Sequence, residues 1–395
     1  MTLTYDDKMG SRRAAWSAVF CMTLCAFVLI ASEFMPVSLL TPIAADLGVS
    51  EGNTGQAISI SGIFAVITSL LITGLTRRLD RRVVVLGLTA LLMVSGIVVT
   101  LAPSFPVLML GRALLGISIG GFWSMSTAIV MRLVSHDQVP KALALLNAGN
   151  AVAATVSAPL GSLLGAYIGW RGAFFLVVPI GLLALLWQWI VLPELPPRRA
   201  RVSANVFRLL GRPAVTAGMI AILLLFMGQF ALFTYLRPFL EQVTRVEITM
   251  LSLLLLIMGL AGAVGTWVVG RLLQHRLFSI LAIIPLLMAG IALFMVAFGD
   301  AKLPVAAALV GWGFVGTAAP VGWGTWLSRI LPDDAETGGG LQVAVIQLAI
   351  TAGASVGGIL FDSFGWWSAF TLSALLLCGS SLASFVAWRL ARRRS

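Results

Sequence analysis

Glu33 and Arg112 offer the most chemistry in this chain, because each is a charge set deep within an apolar run. Glu33 is the lone carboxylate between Trp16 and Leu40, and Arg112 closely follows the turn Pro103–Pro106. An ionised acid surrounded by hydrocarbon is costly unless it is paired or takes up a proton. A proton carrier is one use of Glu33; a packing role against a buried partner is the other. Both charges fall at similar depth in the outer halves of their segments, so they can pair, and the acid's hold on a proton would then respond to conformation and ligand. A structural ion pair, or an arginine snorkelling outward, is the alternative for Arg112.

The uncharged polar and aromatic residues at depth are Asn147 and Asn150, Gln229, Gln342 and Gln347, with Trp123, Trp323 and Trp326. Amides both donate and accept hydrogen bonds, which suits a polar, neutral solute, and indole rings present flat faces for stacking. The same residue types also join helices or mark the membrane interface, and Trp326 lies near a segment end where a belt residue would sit. One deep acid and one deep base argue against a strongly charged solute. No nucleophile–base constellation is visible, so an enzyme is not expected. His136 and His275 both read as loop residues with no Cys–His spacing, so no metal is expected, and no phosphate-binding loop or other cofactor motif occurs.

The elements that position these residues are membrane spans. Of 395 residues, 59% are hydrophobic and only 10% charged, against about 25% charged in soluble domains. About 20 apolar residues cross a bilayer. That rule reads spans at 16–40, 53–75, 83–101, 106–131, 140–166 and 171–192, then 213–236, 248–270, 277–298, 303–327, 339–361 and 367–390. The expected fold is therefore all-α: twelve transmembrane helices in two six-helix, pseudo-symmetric halves.

The expected divisions are an N-terminal segment 1–15, a first half 16–192, a linker 193–212 rich in Pro and Arg, a second half 213–390 and a tail 391–395. Of the 26 Lys and Arg, 21 fall on the side of the termini and four on the other. That bias predicts that both termini and the linker are cytoplasmic, and it accounts for the net charge of +11 without nucleic acid as a partner. Gly161, Gly169, Trp170, Ala173 and Phe174 recur 196 residues later as Gly357, Gly365, Trp366, Ala369 and Phe370. A shared offset near half the chain length is the mark of duplication, and paired halves can rock about a site between them.

Several small residues should let helices approach closely: Gly116, Gly120 and Gly121 after Arg112, then Gly149, Gly161 and Gly165 around a bending Pro159. Pro320, Gly322 and Gly324 should interrupt the tenth span.

Arg112-Ala-Leu-Leu-Gly116 resembles the fourth-span signature of the major facilitator superfamily. Ala158-Pro159-Leu160-Gly161 resembles the fifth-span motif of its proton-coupled exporters, with Ala before Pro in place of the usual Gly. Gly74 followed by Arg77-Arg78-Leu79-Asp80-Arg81-Arg82 resembles the first cytoplasmic-loop motif, with Arg77 at the usual early Asp position. Glu33-Phe34-Met35-Pro36-Val37 is similar to the drug and sugar efflux branch. Longer strings, among them Gly121-Phe122-Trp123-Ser124-Met125-Ser126 and Gln342-Val343-Ala344-Val345-Ile346-Gln347, resemble the bacterial exporters of purine ribonucleosides within it.

That resemblance implies a multi-pass protein of the bacterial inner membrane, with a monomer as its working unit. It would exchange inosine- and guanosine-like nucleosides for protons. Glu33 and Arg112 would couple the proton, while Trp123, Asn147, Asn150, Gln229, Trp323 and Gln347 would contact the solute. Gly74, Asp80, Arg81, Arg82, Pro159 and Gly161 would serve conformational change. An exporter of sugars or drugs with the same fold is the near alternative; an uncoupled facilitator or membrane sensor is the alternative of another class.

Overall fold

A computed structural model describes residues 5–135, 138–196, 206–331 and 335–392. His136 and the linker residues 197–205 lie outside the described residues, as do 1–4 and 393–395. The first half comprises α1 (Tyr5–Leu47), α2 (Glu51–Leu75), α3 (Arg81–Thr100), α4 (Phe105–Leu133), α5 (Val139–Phe175) and α6 (Val177–Val191). A five-residue α7 (Val206–Leu210) precedes the second half. That half holds α8 (Pro213–Phe233), α9 (Leu236–Gln242), α10 (Ile248–Ala297), α11 (Lys302–Gly316), α12 (Ala319–Ile330), α13 (Ala335–Phe364) and α14 (Trp366–Arg392). No strand occurs among the described residues.

Among the described residues, eleven stretches are long and apolar enough to cross a bilayer, and one of these, Lys141–Val191, runs for 51 residues. At 1.5 Å per residue such a stretch is about twice the thickness of a bilayer core. It breaks at Gly169, whose φ of 73° and ψ of 164° reverse the chain, so it makes two crossings and the total is twelve. Gly365, the repeat partner of Gly169, also has a positive φ, of 90°. Both positions need the left-handed backbone that glycine adopts without steric cost. The repeat thus preserves a turn as well as a composition.

The buried apolar side chains divide as the two halves do. One cluster runs from Ala18 to Leu195; the other runs from Leu209 to Leu377 and takes in only Val37, Leu40, Ile58 and Ala158 from the first half. Outward-facing apolar residues such as Ile190 and Leu303 are each 81% exposed, as expected of a surface that meets lipid rather than water. With twelve crossings, the two ends of the chain share one face, here the terminal face. The α1–α2, α9–α10 and α13–α14 turns lie on the other, the far face.

Prolines shape three elements, two of them away from the expectation. The first helix does not end near residue 40 but continues through Pro36 and Pro42 to Leu47. The tenth span is interrupted at Pro320, as expected: it breaks between Gly316 and Ala319, just before that ring, and is helical again through Gly322 and Gly324. Proline lacks the N–H that would bond four residues back, so the ladder fails upstream of the ring. The seventh span breaks in the same way at Thr234–Tyr235, ahead of Pro238. α10 breaks at Arg276, whose φ of −135° and ψ of 41° are not helical, and so makes two spans, Ile248–Leu272 and Arg276–Ala297, with His275 at the junction between them.

Candidate functional site

The site begins with two small-residue stripes. Arg112, Gly116 and Gly120 lie on one face of α4, four residues apart, and meet Ala57, Ser61 and Ala65 on α2. A Cβ at Gly116 would stand 2.2 Å from the Ser61 carbonyl oxygen, and one at Gly120 would stand 2.1 Å from that of Ala65. Only glycine lets the two helices come this close. Gly149, Gly161 and Gly165 do the same for α5 against Thr23, Ser38 and Leu39 of α1. The first stripe holds α4 against α2 with Arg112 at its head, and the second holds α5 against α1.

Arg112 is 1% exposed. Its Nε donates to the Ala57 carbonyl at 2.9 Å, Nη1 to the Ser32 carbonyl at 2.7 Å, and Nη2 to the Glu33 carbonyl and to Ser61 Oγ, each at 3.1 Å. The Ser32 carbonyl is available because Pro36, four residues on, has no N–H to offer it. The guanidinium therefore replaces a missing helix bond while it joins α4, α2 and α1.

Glu33 is 3% exposed and lies near the middle of the apolar stretch Ala15–Leu47. Its Oε1 accepts a hydrogen bond from Gln347 Nε2 of α13 at 3.3 Å. The next residue, Phe34, stacks on Phe230 of α8 with ring centroids 5.6 Å apart. Further toward the far face, Ser59 and Thr351 exchange hydroxyl-to-carbonyl hydrogen bonds of 3.1 and 3.4 Å. Each of these contacts crosses from one half to the other. The acid is thus on the seam, while Arg112 is wholly within the first half. Arg112 and Glu33 meet through the Glu33 main chain, and their side chains form no ion pair.

Gln229 precedes Phe230 and is half-buried, with Oε1 enclosed and unpartnered. Trp323 and Trp326 are fully buried, edge to face, with centroids 5.3 Å apart and both indole N–H groups unpartnered. Trp326 packs on Gly218 of α8, so it is an internal residue and not part of an interfacial belt. Trp123 is half-buried with its ring against the edge of Phe122. Asn150 is half-buried, while Asn147 is exposed and donates to its own helix at the Leu143 carbonyl. Of the expected site residues, Glu33, Arg112 and Gln347 are brought together, with Gln229 beside Phe230. Phe34, Phe230, Ser61 and Thr351 were not expected. Phe34 and Phe230 directly follow Glu33 and Gln229 in sequence, the one signal that could have found them.

The basic turn between α2 and α3 is built into the first half. Asp80 caps α3 by accepting from the Arg82 N–H at 2.7 Å and also accepts from the Leu195 N–H at 3.0 Å. Arg81 donates to Thr76 Oγ1 at 2.7 Å, and Arg82 donates to the Trp189 carbonyl. Gly74 precedes the turn with open space where a Cβ would stand. Pro159 lies inside α5, and Gly161 supplies the contact with Ser38. Besides the Glu33–Gln347 and Ser59–Thr351 contacts, several hydrogen bonds among the described residues join the halves toward the far face. Ser50 Oγ and the Gly52 N–H bind Asp362 at 2.6 and 3.0 Å, and Ser355 Oγ donates to Gln56 Oε1 at 2.9 Å. Gln242 donates to Glu51 at 3.0 Å, and Ser252 Oγ donates to Ser162 Oγ at 2.9 Å.

Two six-helix bundles meeting on a polar seam within the membrane define a secondary-transporter architecture. A family model described as Major Facilitator Superfamily matches residues 22–341, and the chain belongs to that family. It is a transporter family, and the chain is not an enzyme. Two similar relatives point in different directions by name. One, from Pseudomonas aeruginosa, is called transcription regulatory protein OpdE and is 54% identical, with 96% of this chain and 95% of the relative covered. The other, from Salmonella typhimurium, is called purine ribonucleoside efflux pump NepI and is 45% identical, with 94% of each covered. Among solved structures, a bacterial homologue of the human lysosomal transporter Spinster superposes with a TM-score of 0.81 at 16% identity, covering 95% of this chain and 97% of that one.

Proposed function

We propose that the chain is a proton-coupled antiporter that exports purine ribonucleosides across a bacterial inner membrane. In this reading the terminal face is cytoplasmic, as the bias of 21 against four basic residues favours. The observation that carries the coupling is the buried Glu33 carboxylate on the seam, bonded to Gln347 of the opposite half. An acid in that position changes its surroundings whenever the halves rock, so protonation and conformation are linked. Relatives 45% identical over nearly the full chain and named purine ribonucleoside efflux pumps support the solute class. Gln229, Gln347 and Asn150 would hydrogen-bond the base or ribose, and Trp323 and Trp123 would stack. Purified protein in liposomes with an acidic lumen should accumulate labelled inosine and guanosine. Accumulation of arabinose without nucleoside would instead assign it to sugar efflux.

The OpdE-like relative favours a second reading, in which the chain influences transcription. Apart from α7, with five residues, the described helices belong to the membrane bundle, so such an influence would run through the level of a transported solute. Regulation that persists when Glu33→Gln abolishes proton-driven accumulation of the solute would instead assign the chain a sensor role.

A further inference from the structure

α1 contains two prolines, and each orphans one carbonyl: Pro36 that of Ser32, and Pro42 that of Ser38. A guanidinium takes up each. Ser32 is held by Arg112 from the same half at 2.7 Å. The Ser38 carbonyl is held by Nη1 of Arg237, on α9 of the opposite half. Arg237 is 6% exposed, and its Nε is aligned by Glu241 one turn on at 2.8 Å. A buried arginine is strongly held once its donors are satisfied. This one is satisfied in part by a carbonyl that belongs to the other half.

We propose that Arg237 and the carbonyl freed by Pro42 form a releasable latch that closes the far face, and that Arg237 is a positioning residue of the transport cycle. The inference rests on the alternating-access reading above, which requires the far face to open. The Ser32–Arg112 bond lies within one rigid half and survives that motion; the Ser38–Arg237 bond spans the two halves and must break. Pro42 keeps the carbonyl free of the helix ladder, so releasing Arg237 leaves α1 unchanged. Neighbouring seam contacts, Ser50 and Gly52 with Asp362 and Glu51 with Gln242, close the same face.

The test is a distance measurement in the purified full chain, with no solute and no gradient, so a failed flux assay does not bear on it. Spin labels are placed at Ser104→Cys and Ser363→Cys, exposed positions on the far side of opposite halves, in a Cys378→Ser background. Arg237→Gln should raise the ratio of long to short distances about tenfold, as loss of one charge-assisted hydrogen bond implies. Arg237→Lys should restore part of the short population. Pro42→Ala returns an N–H to the Ser38 carbonyl and improves helix propensity, so it should fold normally and shift the ratio the same way. Pro36→Ala should leave it unchanged. Unchanged distances in both Arg237→Gln and Pro42→Ala, or an equal shift in Pro36→Ala, would overturn the latch.

Discussion

The Glu33 carboxylate and the Gln347 amide meet at 3.3 Å across the seam between the two halves. One partner belongs to α1 and the other to α13, so no motion of one half against the other leaves this hydrogen bond untouched. Arg112 fixes the main chain of the acid from behind and leaves the carboxylate facing the opposite bundle. The arrangement separates two tasks, holding the acid in place and sensing the state of the seam.

Replacing Gln347 by Leu should therefore impair coupling more than folding. A hydrogen bond to a charged group contributes about 1.5–3 kcal/mol, so gradient-driven inosine flux should fall about tenfold or more. The thermal midpoint of the detergent-purified variant should change little. A variant that unfolds early while retaining full flux per folded molecule would assign Gln347 to packing.

Arg112→Lys keeps the charge and loses the fork. A single ammonium cannot reach the carbonyls of Ala57, Ser32 and Glu33 and the hydroxyl of Ser61 with the same geometry. Each buried carbonyl left unmet costs about 1–3 kcal/mol. Arg112→Lys should therefore lower the thermal midpoint and abolish flux, which fluorescence-detected unfolding and transport can follow together.

The fold was legible in the sequence because a bilayer demands long apolar segments, and the charge pattern and repeat organise them. Glu33 and Arg112 were legible for the same reason: a charge stands out where charges are expensive. The route of their contact was not, since it depends on which carbonyl a proline orphans and which guanidinium is within reach. α1 is the instructive case. Its apolar run read as a span ending near residue 40, yet α1 continues through Pro36 and Pro42 to Leu47, with Arg112 and Arg237 each bonded to a carbonyl that a proline leaves free. Phe34 and Phe230 escaped notice because aromatic residues are common in spans, and only the packing of two distant helices makes them a pair. Trp326 read as either a stacking face or a belt residue from its place in the segment; its packing on Gly218 of a different helix puts it inside.

Gly120→Val tests the close approach of α2 and α4. The added side chain would meet the Ala65 backbone, and overpacking of this kind costs about 1–3 kcal/mol. Gly87, with nothing within 4 Å of an added Cβ, supplies the control. Gly120→Val should lower the thermal midpoint of the purified protein, whereas Gly87→Ala should leave it unchanged or slightly raised.

Gln229→Ala and Trp323→Ala should discriminate between solutes. For a nucleoside, loss of the Trp323 ring should weaken transport about tenfold, as loss of one stacking face implies. For a sugar, the amide at Gln229 should matter and the indole should not. Competition by inosine, adenosine and arabinose against labelled inosine, measured for each variant, reads this directly.

The central claim is that Glu33 couples a proton to solute movement, and Glu33→Gln in liposomes tests it most directly. Wild-type protein should concentrate labelled inosine into an acidic lumen. The variant should lose that accumulation while still exchanging labelled for unlabelled inosine across the membrane without a gradient. Accumulation by Glu33→Gln at the wild-type rate and extent would contradict the account.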